Sequence, residues 1–249
     1  MTKIIKQIPN AFTLFNLFCG ILAIVFTLDQ RTIIYSPYLI FLGGLFDFLD
    51  GMMARMLKAY SEIGKQLDSL ADLVTFGVAP AILAFSIMKL SFIMDDPLIL
   101  FNGLSILQYI LLFISLLIPV FSAIRLAKFN IDETQTDHFR GLPTPASAFL
   151  IASIALAYFN YNKSLVCIIG QTPMLFAGII LLDCILMVSN IRIISLKFKN
   201  LSVKDNFDKY LLVLVAAGLF YFFLFEAFAI IILFYIVLSV VMNYVKKVS

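Results

Sequence analysis

Residues 47–72 read DFLDGMMARMLKAYSEIGKQLDSLAD, and they set four aspartates, Asp47, Asp50, Asp68 and Asp72, between the apolar flanks IFLGGLF and LVTFGVAPAILAF. One acid at the centre of a bilayer-spanning helix costs about 2.5–3.5 kcal/mol on insertion scales, so four together cost on the order of 10 kcal/mol plus mutual repulsion unless cations compensate. Acids kept at that cost mark a functional site. Asp47, Asp50, Gly51, Ala54 and Arg55 recur at helical spacing, which puts them on one face of one helix. Asp68 and Asp72 are four apart on the next helix, again on one face. A short polar connection between the two makes them antiparallel neighbours that aim four carboxylates at one point.

Composition extends this reading to the whole chain. Of 249 residues, 62% are apolar and only 13% are charged, against about 25% charged in soluble domains. Apolar runs of bilayer length recur from end to end. The expected fold class is all-α: a polytopic membrane bundle of about eight transmembrane helices, with the site at the cytoplasmic end of helices 2 and 3. Asn10 reads as an N-cap for a first span over 11–28, and Ser36-Pro37 as the start of a second running to residue 55. Later spans are expected over 68–89, kinked at Pro80; over 104–128, with Pro119 inside; over 145–160; and from Thr172-Pro173 to residue 194. The tract 210–245 would be about 54 Å long as one helix, too long for a hydrocarbon core of about 30 Å. It is therefore divided into two spans near Glu226. Residues 1–200 form the expected catalytic bundle, and residues 201–249 a two-helix extension.

Eight spans put both termini on one side. That side then carries fifteen of the 18 Lys and Arg residues, leaving Arg31, Lys89 and Lys163 opposite. The positive-inside rule makes it the cytoplasmic side of the cell membrane. The first apolar run follows Lys3 and Lys6, but its length and the spans after it mark an uncleaved helix rather than a signal peptide. A net charge of +3 is too small to argue for nucleic acid. Cys19, Cys167 and Cys184 have no paired spacing, and His138 is the single histidine. Thiolate and imidazole chemistry therefore lack their usual parts.

Carboxylates without His or Cys suit a hard, oxygen-seeking ion such as Mg²⁺, Mn²⁺ or Ca²⁺. Four of them could hold two ions about 3.5–4 Å apart, as in two-metal phosphoryl-transfer sites. Gly51 and Ala54 leave the helix face bare, and Arg55 and Lys65 offer cations for phosphate. The spacing alone also allows a structural ion-pair network with Arg55, Lys58 and Lys65, or an ion path through a membrane transporter.

The pattern Asp, two residues, Asp-Gly, two residues, Ala-Arg, eight residues, Gly, three residues, Asp, three residues, Asp is met at Asp47, Asp50, Gly51, Ala54, Arg55, Gly64, Asp68 and Asp72. It resembles the signature of the CDP-alcohol phosphatidyltransferases. Further segments are similar to the serine-using branch of that family. They are Ile8-Pro9-Asn10 with Thr13, Asn16-Leu17-Phe18-Cys19-Gly20, residues 71–80, residues 125–130, and Phe139-Arg140-Gly141-Leu142-Pro143-Thr144-Pro145.

The resemblance implies a reaction in which CDP-diacylglycerol gives its phosphatidyl group to L-serine and CMP leaves. It implies two divalent ions, Mg²⁺ or Mn²⁺, bridged by Asp47 and Asp68, with Asp50 on one and Asp72 on the other. Asp72 would also take the proton of the alcohol. Asn10, Thr13, Gly51, Arg55 and Ser61 match CDP-diacylglycerol contact positions, and a homodimer embedded in membrane lipids is implied. A zwitterionic acceptor needs a cation for its carboxylate. Arg125 could supply it as a bidentate fork, with Asn130 and Thr75 as polar lining. The same chemistry on glycerol 3-phosphate or an inositol phosphate stays open, because Arg125, Lys128 and Arg140 would also suit a phosphate. Intramembrane prenyltransferases need a second aspartate-rich helix pair, which Asp132, Asp137 and Asp183 do not provide.

Overall fold

The structure, a computed structural model, describes residues 7–96, 103–131, 139–160, 164–193 and 207–248. Helix α1 (Ile8–Thr27) begins earlier than expected, with Pro9 in its first turn and no side-chain cap. Proline suits that position because its missing N–H has no partner there in any case. Asn10 is thereby released from capping. A 3₁₀ turn (Ile33–Tyr35) leads into α2 (Ser36–Met56). The two helices are closed at this end by Thr27, whose hydroxyl donates to Ser36 Oγ at 2.7 Å while Ser36 donates to the Ala23 carbonyl at 2.9 Å.

Helix α3 (Glu62–Asp72) starts six residues before the expected span, because Ser61 caps it by accepting from Gly64 N at 3.0 Å. It continues through a π-helical stretch (Leu73–Val78) into α4 (Ala79–Asp95). Pro80 explains the widening: its ring would crowd the carbonyl of Phe76 and cannot donate to it, and π turns absorb such a mismatch. Helices α5 (Ile106–Ile114) and α6 (Leu117–Ile131) part at Ser115 and Leu116. Ser115 is four residues before Pro119, where a proline breaks the ladder.

Helix α7 (Thr144–Asn160) is central, with a nearly unbroken buried run from Ser147 to Tyr158. A short α8 (Leu165–Gln171) turns by 100° into α9 (Pro173–Val188). The sequence leads one to expect that helix to reach residue 194, but it stops at Val188. Two strands of two residues each then pair antiparallel, β1 (Phe139–Arg140) with β2 (Arg192–Ile193). This pairing is confined to two residue pairs and leaves the fold all-α. Gly141, at φ +75°, turns the chain there, and Gly141 N donates to the Ile191 carbonyl at 2.9 Å. Helix α10 (Phe207–Phe223), a 3₁₀ turn (Leu224–Glu226) and α11 (Ala227–Val248) follow. The break falls at Glu226, as the length argument required, and Leu224 makes it in a left-handed conformation, φ +47°.

Among the described residues, four helices are long and apolar enough to cross a membrane: Ile8–Thr27, Ile33–Met56, Glu62–Asp95 and Ile106–Ile131. The bent pair α8–α9 would be a fifth. Helix α7 is shorter, at 17 residues, and protein rather than lipid covers most of it. The protein is an integral membrane bundle. Its core includes Phe76, Phe176, Ile40, Leu83 and Ile151, and stacked and tilted rings of Phe41, Phe149 and Phe228 join α2, α7 and α11.

Candidate active site

The turn from α2 into α3 is tight. Lys58 adopts φ +48°, and Ala59 N reaches back to the Ala54 carbonyl at 3.0 Å, so a helix C-terminal motif reverses the chain. The acids on the two helices thereby meet. One carboxylate oxygen from each of Asp47, Asp50 and Asp68 lies within 4.8 Å of the others. Asp72 lies one turn deeper than Asp68 and within electrostatic reach of all three.

Helix α1 supplies the polar wall of this cluster. Thr13 Oγ1 donates to Asp50 Oδ2 at 2.8 Å, and Asn16 Nδ2 donates to Asp72 Oδ1 at 3.1 Å. Thr13, Asn16, Asp50 and Asp72 are all buried. The approach of α1 depends on missing side chains. Thr75, fully buried, donates to the Asn16 carbonyl at 2.9 Å. It also packs where a Cβ on Gly20 or Gly43 would stand.

Three converging carboxylates form a hard-oxygen set. Asp68 Oδ1 is buried with no hydrogen-bond partner among the described residues, the kind of atom a cation satisfies. The residues fit a divalent ion, and the structure brings three of the four expected ligands close together, with Asp72 beside them.

The other expected contacts divide into two groups. Asn10, Ser61 and Gly64 converge: a Cβ on Gly64 would stand 2.9 Å from both Asn10 Oδ1 and Ser61 Oγ. The Arg55 guanidinium folds back over the bare face of Gly51. These residues stand on α1, α2 and the start of α3, the helices that carry and brace the acids. The acceptor residues are less alike. Arg125 on α6 is buried, donates through NH1 to Thr144 Oγ1 at 3.1 Å, and lies within electrostatic reach of Asp72. Its Nε has no hydrogen-bond partner among the described residues. Thr75 spends its hydroxyl on the Asn16 carbonyl. Asn130 ties α6 to α3: its Nδ2 donates to Ser69 Oγ at 2.8 Å and its carbonyl accepts from Lys65 Nζ at 2.9 Å. Arg140 side-chain geometry and His138 lie outside what is described.

Sequence reasoning did not assign roles to Asn16 or Thr144. Asn16 stands three residues after Thr13 on the same helix face, which is the signal that pairs them. Thr144 belongs to the family-like segment 139–145, where nothing in the sequence marks its hydroxyl as a partner for Arg125.

A bundle of apolar helices thus gathers carboxylates, a bare glycine face and the Arg55 guanidinium, a set of groups that suits divalent ions and phosphate. The model of the CDP-alcohol phosphatidyltransferase family matches residues 6–189, and the chain belongs to that family. It is 34% identical over 213 residues to a CDP-diacylglycerol–serine O-phosphatidyltransferase of Helicobacter pylori, covering 85% of this chain and 80% of that protein. A Bacillus subtilis protein of the same name is 37% identical over 163 residues, 66% of this chain and 81% of its own. An archaetidylserine synthase of Methanothermobacter thermautotrophicus is 32% identical over 159 residues, 63% of this chain and 61% of its own.

Proposed function

We propose that the protein transfers the phosphatidyl group of CDP-diacylglycerol to L-serine, giving phosphatidylserine and CMP. The observation that carries this is the convergence of Asp47, Asp50 and Asp68, with Asp72 beside them, braced by Thr13 and Asn16 of α1. The serine-using relatives support the choice of alcohol. In this reading the chain crosses the membrane eight times, residues 1–200 form the catalytic bundle, and residues 201–249 add two spans. Both termini and the site face the cytoplasm, and the enzyme works as a homodimer.

Asp47, Asp50, Asp68 and Asp72 would together hold two divalent ions, Mg²⁺ or Mn²⁺. The chemistry such ions would supply when bound is neutralisation of the pyrophosphate charge as CMP leaves. The chain's own residues do the rest. Asn10, Thr13, Ser61, Gly51 and Arg55 hold the nucleotide end of the lipid, and the bare glycine face admits its phosphates. Arg125 receives the carboxylate of serine. Asn16 holds Asp72 Oδ1, leaving the other oxygen to orient the serine hydroxyl and take its proton as the new P–O bond forms and the P–O bond to CMP breaks. Fixing the alcohol beside the phosphorus removes much of the entropic barrier.

The test is CMP release by the purified protein in detergent from CDP-diacylglycerol with Mg²⁺ or Mn²⁺. Serine, glycerol 3-phosphate and inositol phosphate are offered separately. Release is expected with serine, and treatment with EDTA is expected to stop it reversibly. Release with a phosphorylated alcohol alone would overturn the serine assignment, and no release with any of them would overturn the enzyme reading.

A further inference from the structure

The last helix lies outside the segment matched by the family, yet it does not stand apart from the site. Its register is pinned at Ser153 of α7, whose hydroxyl donates to the Glu226 carbonyl at 3.0 Å and accepts from Ala229 N at 3.1 Å. From there α11 packs along α7 and reaches β2, which is paired with β1 just before Thr144. Helix α11 therefore runs antiparallel to α7, toward the end that carries Arg125.

The rise per residue sets where its side chains arrive. Tyr235 is six residues beyond Ala229, about 9 Å along α11, and Thr144 is nine residues before Ser153, about 13.5 Å along α7. The two levels differ by less than one turn of about 5.4 Å. Ile232, Tyr235, Ile236 and Ser239 share the face turned inward, with Ile232 and Ser239 buried and Tyr235 and Ile236 packed against the core. The Tyr235 phenol lies within electrostatic reach of the Arg125 guanidinium, whose near neighbours among the described residues include Asp72, Thr144 and the Phe129 ring.

We infer that the C-terminal helix completes the acceptor site, with Tyr235 serving as a positioning residue that keeps the Arg125 guanidinium aimed at the carboxylate of the incoming amino acid. The inference rests on the assignment of Arg125 to the acceptor. Arg125 NH1 donates to Thr144 Oγ1 at 3.1 Å and the guanidinium lies 5.9 Å from the Phe129 ring, which together set one direction and leave Nε without a hydrogen-bond partner among the described residues. The dipole of a phenol oxygen, in a site shielded from water, fixes the second direction. Tyr235 stands on α11, whereas the acids stand on α2 and α3. Its loss should therefore weaken acceptor binding and spare the lipid substrate.

The experiment compares the full-length protein with Tyr235→Phe, Arg125→Lys and the double variant. It measures kcat and KM for serine and for CDP-diacylglycerol, together with the thermal midpoint in detergent. Tyr235→Phe is expected to raise the KM for serine about tenfold while the KM for CDP-diacylglycerol and the midpoint hold. Within Arg125→Lys the same change is expected to add little, since coupled residues are not additive. An unchanged serine KM in Tyr235→Phe, equal rises in both KM values, or full additivity with Arg125→Lys overturns the inference. Should Tyr235→Phe fold poorly, Tyr235→His, which keeps a polar ring, is read by the same split between the two KM values. If the unaltered protein releases no CMP with serine, the underlying assignment of function fails instead.

Discussion

Asp72 and Asn16 show how much one hydrogen bond contributes to the proposed chemistry. Asn16 Nδ2 is the donor at 3.1 Å that holds Asp72 Oδ1. A donor aimed at a catalytic carboxylate is worth about 1.5–3 kcal/mol when the acceptor is charged. Asn16→Ala is expected to lower kcat by at least about tenfold, with the KM for CDP-diacylglycerol little changed, as read by CMP release. Asp72→Asn removes the proton acceptor and is expected to abolish turnover, and normal turnover would take Asp72 out of that role. The aspartates were legible in the sequence because acids in hydrocarbon are conspicuous and their spacing is helical. Asn16 was not, since an amide in an apolar helix looks the same whether it braces a neighbour or simply faces one.

At the level of elements, the breaks were easier to place than the ends. Pro80 and Pro119 disturb their helices as backbone sterics require, and the length of the last tract demanded a turn near Glu226 without any Gly or Pro to mark it. Leu224 supplies it in a left-handed conformation. The early end of α9 at Val188 and the pairing of β1 with β2 were not legible, because two-residue strands carry no periodicity. Gly141 fastens that corner. A Cβ there would stand 3.0 Å from the Met187 carbonyl carbon and 3.0 Å from the Ser189 oxygen, at a φ of +75°. Gly141→Ala is expected to cost at least about 1–2 kcal/mol from the left-handed backbone alone, with the crowding in addition. A lowered unfolding midpoint in detergent measures it, and an unchanged midpoint would show that the corner relaxes freely.

Across the whole molecule, the family-matched part and the C-terminal helices share one core. The Ser153 hydroxyl joins them by accepting from Ala229 N and donating to the Glu226 carbonyl. Two neutral hydrogen bonds contribute about 1–3 kcal/mol together. Ser153→Ala is expected to loosen the last two helices so that limited proteolysis removes them sooner. Protection equal to that of the unaltered chain would assign the docking to the apolar contacts alone. Charge and hydropathy showed that these helices exist, but nothing in their composition showed which neighbour they meet.

The bond between Ala229 and Ser153 spans 76 residues, and synthesis runs from the N-terminus. Helix α7 therefore enters the bilayer while its partner is still unmade, and its serine must wait, satisfied meanwhile by a carbonyl of its own helix. A nascent chain can thus carry the whole aspartate signature and still lack the residues that reach Arg125. If Tyr235 positions Arg125 as inferred, a chain cut short before α11 is expected to carry the motif and bind the acceptor poorly.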